Sequence, residues 1–426
     1  MRKITRYEHE KLLYKDEDVC GTDTRLKERL SDDLGRIHSK KENEKYFSLI
    51  YNGVKFNSYV GLIQTRDFSI SILPKAGFES LNQEEENAEE KQNEHNSIFK
   101  IFIELLVFCG HLRKAPRLFN IKTTYKNYEN SLAELFIISF LDEVEDILDY
   151  GLLRGYKTVT KNNSYLKGKL NISDHISQNI TKGNMQFNVT YQTYQYDNNY
   201  NSILYMALEY ICSSTQFKRH QYRAQSLLLK FPKLKKINIH TVSLSKYTSD
   251  RRLYKYHIAL EIAYNLLVSS ITSHSAGKES FTILYNMNVL FQEYIYKLAR
   301  KTGKHAVINQ KRLFWKSTKG EKIERNIKPD IVVFKDADRE KVDYIIEVKW
   351  VNPDDKSISR TYLSQIYTYS KIYENCPVYL MYPKTLESKN INGEFQSDEK
   401  PKIKSGIRYC NLVTNGKLNK EICEIT

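Results

Sequence analysis

A chain of 426 residues is long enough for two or three domains with sizeable cores, and 66 Lys and Arg against 51 Asp and Glu give it a formal charge of +15. That excess favours polyanions such as nucleic acid as partners and says nothing of fold, although a Lys-rich composition alone produces the same number. Six cysteines without a CxxC pair exclude a zinc ribbon or a disulfide framework, and apolar runs such as "LAELFIISFL" are too short to span a bilayer, so a reduced, cytoplasmic protein with no membrane partner is expected.

In chain order, "YFSLIYNGVKFNSYVGLIQTRDFSISILPKAG" is rich in β-branched and aromatic residues broken by Asn52-Gly53 and Pro74, which predicts hairpins. The acidic stretch "NQEEENAEEKQNEHN" from Asn82 reads as a solvated loop or the frayed start of a helix, and helical spacing resumes over 98–109. A second helix is expected over 131–154. "GYKTVTKNNSYLKGKLNI" and "QFNVTYQTYQYD" are strand-like and bracket the polar "SDHISQNITKGNM", so they predict a long projecting hairpin, about 155–197. Helices follow at 201–213 and 257–270. Between them "KRHQYRAQSLLLKFPKLKK" is the densest basic run, and Lys230, Lys233, Lys235 and Lys236 are candidates for phosphate contact or for a merely solvated face.

The last third reads as a helix over 281–301, strands near 306–309, 312–315, 330–334 and 342–349, a helix over 359–373 and a strand over 377–382. That is an α/β sandwich layout, with Leu284, Met287, Phe291, Ile295 and Leu298 as the apolar face of the first helix. The expected organisation is therefore a multidomain α+β and α/β chain: a β-rich N-terminal domain (1–115), a helical middle with the hairpin (116–275), and a C-terminal sandwich (276–426).

Within "PDIVVFKDADREKVDYIIEVKW", Asp330 opens one apolar strand and Glu347-Val348-Lys349 closes another seventeen positions later. The acid-x-Lys triplet is common in this chain, but here two neighbouring strands would bring Asp330 and Glu347 together, with Lys349 on the face of Glu347. Paired carboxylates at strand ends suit a hard cation such as Mg²⁺, with Mn²⁺ as a substitute. The ion would share its shell with a substrate phosphate while the ammonium orients water. A strand-end salt bridge is the structural alternative. Gln365 and Tyr369 in "SQIYTYS" lie four residues apart, on one face of the following helix.

Pro329-Asp330, Glu347-Val348-Lys349 and the QxxxY spacing together resemble the PD-(D/E)xK nuclease superfamily. Most of the chain is similar to one family within it, McrC, the nuclease subunit of McrBC-type modification-dependent restriction systems. The likeness runs through "YVGLIQTRDFSISILPKAG", "GLLRGY" with "LKGKLNI", "YDNNYNSIL" and "MNVLFQEYI". It implies a restriction-endonuclease-like sandwich, cleavage of double-stranded DNA, catalytic Asp330, Glu347, Lys349, Gln365 and Tyr369, and docking on a McrB-like AAA+ GTPase ring whose hydrolysis the chain stimulates. The chain departs from the family at Phe291-Gln292, where Phe-Glu is usual. Glu293 is rotated away by about 100°, so this helix is not expected to supply a metal ligand. The sequence contains no GxxxxGK[ST], and "SAGKES" and "KTGKH" lack the upstream glycine, so a nucleotide-driven step would belong to a partner. A stand-alone or repair-type nuclease of the same superfamily, or a non-catalytic scaffold for an AAA+ ring, are the competing expectations.

Overall fold

The computed structural model describes residues 2–39, 43–65, 67–75, 88–113, 128–214, 218–242, 251–270, 281–317, 324–351, 359–384, 393–398 and 402–421. The chain is a mixed α+β protein in two compact units. One combines Met1–Leu132 with Ser280–Thr426, and the other is Ala133–Glu279. The first and last thirds of the sequence thus share a unit.

The N-terminal strands expected from the β-branched runs are present. Arg2–Tyr7, Phe68–Leu73, Tyr59–Gln64 and Phe281–Asn286 form one sheet in that order, parallel in the first pair and antiparallel in the others. The last of these strands occupies the start of the expected helix at 281–301. Four β-branched or aromatic residues in "FTILYN" favour the strand, and Asn286 stops it by accepting a hydrogen bond from Asn288 N as the cap of the helix Met287–Lys301. Leu284 accordingly packs on the N-terminal core and not on the helix face assigned to it from spacing. The pairing depends on Gly61, where φ is +143° and a Cβ would stand 2.1 Å from Ile283 O.

A helix that β-rich reading of this segment did not anticipate, Thr24–His38, is capped by the Asp23 side chain on Leu26 N and buries Leu30, Leu34 and Ile37. It shares a core with Leu12, Val54 and Phe56 of a small three-stranded sheet and with Ile4, Phe68 and Ile70 of the larger one. The acidic stretch from Asn82 lies mostly outside the described residues, as does "SAGKES"; the helix Ala88–Cys109 follows the former.

The C-terminal sheet has six strands in the order His305–Ile308, Ile331–Phe334, Val342–Val348, Val378–Pro383, Lys404–Cys410, Glu394–Gln396. The central pairs, Val342–Val348 with Val378–Pro383 and the latter with Lys404–Cys410, are parallel. Helix Arg360–Ile372 covers one face, burying Ile366 and Tyr369 against Val332, Ile345, Val378 and Leu380. Alternation sends Ile346, Val348 and Trp350 to the other face, where Phe291 of helix Met287–Lys301 meets the Trp350 ring edge-on at 5.2 Å. The expected strand at 312–315 is present too, but it leaves the sheet and pairs with Glu324–Ile327 in a separate two-stranded ribbon.

One continuous element and one buried polar contact join the N-terminal strands to this sheet. Phe281–Asn286 runs directly into the helix Met287–Lys301, and Glu8, only 1% exposed, accepts both Trp350 Nε1 (2.9 and 3.0 Å) and Lys75 N (3.0 Å).

In the other unit, the expected hairpin is present in unbroken register from Gly155 opposite Gln195 to Asn163 opposite Phe187. Its connection is folded, with a short third strand Lys169–Leu170 and helical turns Ile172–His175 and Ile176–Ile180. Helices Asn199–Ser214, Lys218–Leu229 and His257–Ser270 supply the body. Asn201, fully buried, fastens the hairpin root: its amide donates to Leu153 O (2.9 Å) and Tyr196 O (2.8 Å) and accepts from Tyr256 OH (3.0 Å). Asn201→Leu would take one donor from each of two carbonyls that Asn198 also serves and would remove the acceptor of the buried Tyr256 hydroxyl, so it is expected to destabilise the protein by about 1–3 kcal/mol, read as a lowered denaturation midpoint; Asn201→Asp, which keeps the acceptor alone, should fall short of rescue.

Candidate active site

Strand register brings the two expected carboxylates together. Ile331 faces Ile346 across the antiparallel pair, so one step further Asp330 stands opposite Glu347. Glu347 lies on the face of Ile345 and therefore points toward the helix Arg360–Ile372; it is 4% exposed. Lys349 Nζ donates to Glu347 Oε1 (2.7 Å) and sits 4.8 Å over the Tyr362 ring. Gln365 Nε2 donates to the same Oε1 (2.7 Å) and to Tyr369 OH (2.9 Å). Lys349, Glu347, Gln365 and Tyr369 thus form one hydrogen-bonded chain. Asp330 joins it through the backbone, its Oδ2 accepting from Val348 N at 2.8 Å.

Glu347 Oε2 is buried and has no hydrogen-bond partner among the described residues. A buried carboxylate oxygen left unmatched costs stability unless a ligand meets it. Burial, and then the charge of Glu347, push the Asp330 carboxyl up to about 6, against the pull of the Val348 N–H, Lys349 and Lys328. Burial, followed by Glu347, pushes the Tyr369 hydroxyl up to about 12, so it stays a neutral phenol.

No group of three or more His, Cys, Asp or Glu side chains suited to a metal occurs among the described residues. Two carboxylates with an unmatched oxygen fit Mg²⁺, which keeps several waters and needs one or two protein carboxylates. They fit Zn²⁺ less well, since its protein sites take three or four side-chain ligands that usually include His or Cys. The donor set is thus compatible with the ion that the sequence pattern suggests.

Gln292 enters the site after all, but as an amide. Its Nε2 donates to Asp330 Oδ1 (2.9 Å), Asp330 O (3.2 Å) and Asn309 Oδ1 (3.2 Å), while Glu293 turns away to His111 (2.7 Å). Asn309, at φ +55°, also donates its N–H to Asp330 O (2.8 Å). Neither residue nor Tyr362 was legible as a site residue, although Gln292 holds the position where a family pattern places an acid. Lys230, Lys233, Lys235 and Lys236 lie in the other unit, all exposed and following the helix Lys218–Leu229, and Lys236 pairs with Glu209 at 2.9 Å. Among the described residues no helix is long and apolar enough to cross a membrane.

Comparison with known proteins decides the family. Residues 54–383, more than half of the chain, match the family model of the "McrBC 5-methylcytosine restriction system component". The chain belongs to the McrBC family. Its structure is similar to a chain of the refined half-complex from the tetradecameric assembly of Thermococcus gammatolerans McrB AAA+ hexamers with bound McrC. That likeness has 20% identity and a TM-score of 0.55, and covers 97% of this chain and 95% of that one. A chain of the cryo-EM structure of the Thermococcus gammatolerans McrBC complex is 20% identical, with a TM-score of 0.43 over 70% of this chain and 87% of that one. No curated protein matches. The McrC resemblance carried by the four sequence stretches agrees with the McrBC match.

Asp330 titrates between 3.8 when unfolded and about 6 when folded, so the native state holds the extra proton in that window and its stability falls as pH rises through it. Above pH ~7 without divalent ions, Asp330→Asn should therefore be as stable as the parent or more stable, by about 1–3 kcal/mol. Millimolar Mg²⁺ should raise the melting temperature of the parent and leave the variant unmoved. A variant that melts markedly lower at both pH extremes would mark Asp330 as a structural ion-pair partner.

Proposed function

We propose that this McrBC-family chain is the Mg²⁺-dependent DNA endonuclease subunit of a modification-dependent restriction complex. Its six-stranded sheet would be a PD-(D/E)xK core acting on double-stranded DNA. One arrangement carries the reading: Glu347 has Oε1 held by Lys349 and Gln365 and Oε2 left without a partner among the described residues, beside a second carboxylate whose charge burial disfavours. A structural salt bridge accounts for the Lys349 contact but not for that second, desolvated acid.

Asp330 and Glu347 would hold Mg²⁺, with Mn²⁺ able to replace it. A divalent ion there supplies positive charge to phosphate oxygens and acidifies water. The protein groups do the positioning. Gln365 fixes the Glu347 rotamer and is itself braced by Tyr369. Gln292 and Val348 N fix the two Asp330 oxygens. Lys349, aimed by Glu347 and the Tyr362 ring, places an ammonium where an attacking water and a phosphate oxygen would meet.

Family membership supports a McrB-like AAA+ GTPase ring as partner. Within this chain, the folded hairpin tip exposes Ile172, Ile176, Ile180 and Met185. Contiguous exposed apolar side chains on a projecting arm suit a protein interface, and we assign ring docking to them.

Lys349→Ala and Glu347→Gln are each expected to lower Mg²⁺-dependent plasmid cleavage by about a thousandfold or more, with the double variant little worse, because the groups act as a unit. Both should still stimulate the partner's GTP hydrolysis. Ile176→Asp with Ile180→Asp should do the reverse, abolishing stimulation with an unchanged circular dichroism spectrum. Normal cutting by Lys349→Ala would dispose of the catalytic assignment, and undiminished stimulation by the hairpin variant would remove the tip from the interface.

A further inference from the structure

The ribbon of Arg312–Lys316 and Glu324–Ile327 has no part in the site as described, yet it grows out of it. The chain leaves the sheet at Asn309, whose backbone N–H is bonded to Asp330 O, and returns through Lys328 and Pro329 into Asp330 itself. Arg312 lies 4.7 Å over the ring of Tyr373, at the end of the helix that carries Gln365 and Tyr369. The ribbon base is therefore tied to both sides of the carboxylate pair.

Its surface is unlike that of an ordinary loop. Every residue of Arg312–Lys316 is exposed, including Phe314 and Trp315, the latter at 66%, with the two rings edge-to-face at 5.5 Å. A register shift between Leu313 and Trp315 leaves Phe314 as the extra residue and breaks the alternation there. Two strands have no core in which to bury such rings. Around them stand Lys311, Arg312, Lys316, Arg325 and Lys328, all exposed, with Glu324 as the one acid among residues 311–317 and 324–328. Charge complementarity thus selects a polyanion with stackable groups over an apolar protein face.

Dimensions agree. Trp315 pairs with Arg325, five residues before Asp330, which is on the order of 15 Å along a strand. A two-stranded ribbon of this kind fits the major groove of B-DNA.

We propose that the ribbon is a DNA-contact element, gripping the duplex in a groove beside the phosphate presented to Asp330 and Glu347, its cations on the backbone and its rings on sugars or bases. This rests on the nuclease reading above and adds the surface that holds the substrate.

The test uses the full chain, a fluorescein-labelled 30-base-pair duplex and Ca²⁺ in place of Mg²⁺. The protein has two tryptophans, and Trp350 is 2% exposed, so a change of emission on adding unlabelled duplex reports Trp315. Duplex should quench that emission, and Trp315→Phe should abolish the response. The triple variant Trp315→Ala, Lys316→Ala, Arg325→Ala should bind roughly tenfold or more weakly, with its salt slope reduced by about two units, because one ring and two phosphate contacts are lost. All three residues are exposed, so its circular dichroism spectrum should not change. Emission indifferent to duplex, or a triple variant that binds like the parent, overturns the proposal. So does a Trp315 spectrum that depends on protein concentration without DNA and a triple variant that elutes as a smaller species, which would make the ribbon an interface between copies. Lys349→Ala separates the two readings: it should retain the quench while losing Mg²⁺-dependent cleavage. If it cuts normally, the nuclease assignment falls while the quench still tells whether the ribbon meets DNA.

Discussion

Two carboxylates held opposite each other at strand ends, largely out of water, repel, and much of the surrounding structure can be understood as what keeps them there. Asp330 is held by a backbone N–H and an amide, and Glu347 by an ammonium and a second amide. None of these donors comes from the same segment as the acid it holds, except Lys349. The strands beneath bury Ile331, Val332, Ile345 and Ile346 completely, so the hydrophobic contribution of the sheet offsets the electrostatic strain at its rim. Two acids buried side by side cost stability by themselves, and positive charge brought between them would offset that cost.

That logic explains why the stretch carrying the two acids was legible. Apolar runs ended by single charges are rare enough to stand out, and the register that pairs Asp330 with Glu347 follows from alternation and a short connection alone. The hairpin was legible for the same local reason, since both of its strands show β-propensity and they are joined by a polar segment. What lay hidden depends on distance along the chain. Leu26, Leu30, Leu34 and Ile37 carry helical spacing, but Asp23 and the preceding strands had to be weighed against a segment read as β-rich. Phe281–Asn286 looks like the first turns of a helix until Gly61, more than two hundred residues away, provides an edge to which it can pair. Gln292 is the sharpest case. Reading it as a failed ligand was sound from the one-residue offset of Glu293, but only the fold reveals that an amide there can still serve Asp330.

The contrast between the sheet and the thin elements of the chain is likewise physical. Rigid strands carry the acids, whereas the hairpin and the aromatic ribbon are thin, solvent-facing and rooted by a few satisfied polar contacts such as those of Asn201 and Asn309. Such roots fix where an arm leaves the body without requiring a core inside the arm itself.

Glu8 has a bearing on how the protein is made. Its buried carboxylate waits for Trp350, and its sheet waits for Phe281–Asn286, so the opening strands emerge from the ribosome long before either partner exists. At about 5–20 residues per second that interval lasts some tens of seconds. Ala133–Glu279, contiguous in sequence, is complete before then. The acids at Asp330 and Glu347 come together only after that unit has been made, so a nascent chain interrupted between the two carries the middle unit but not the assembled carboxylate pair.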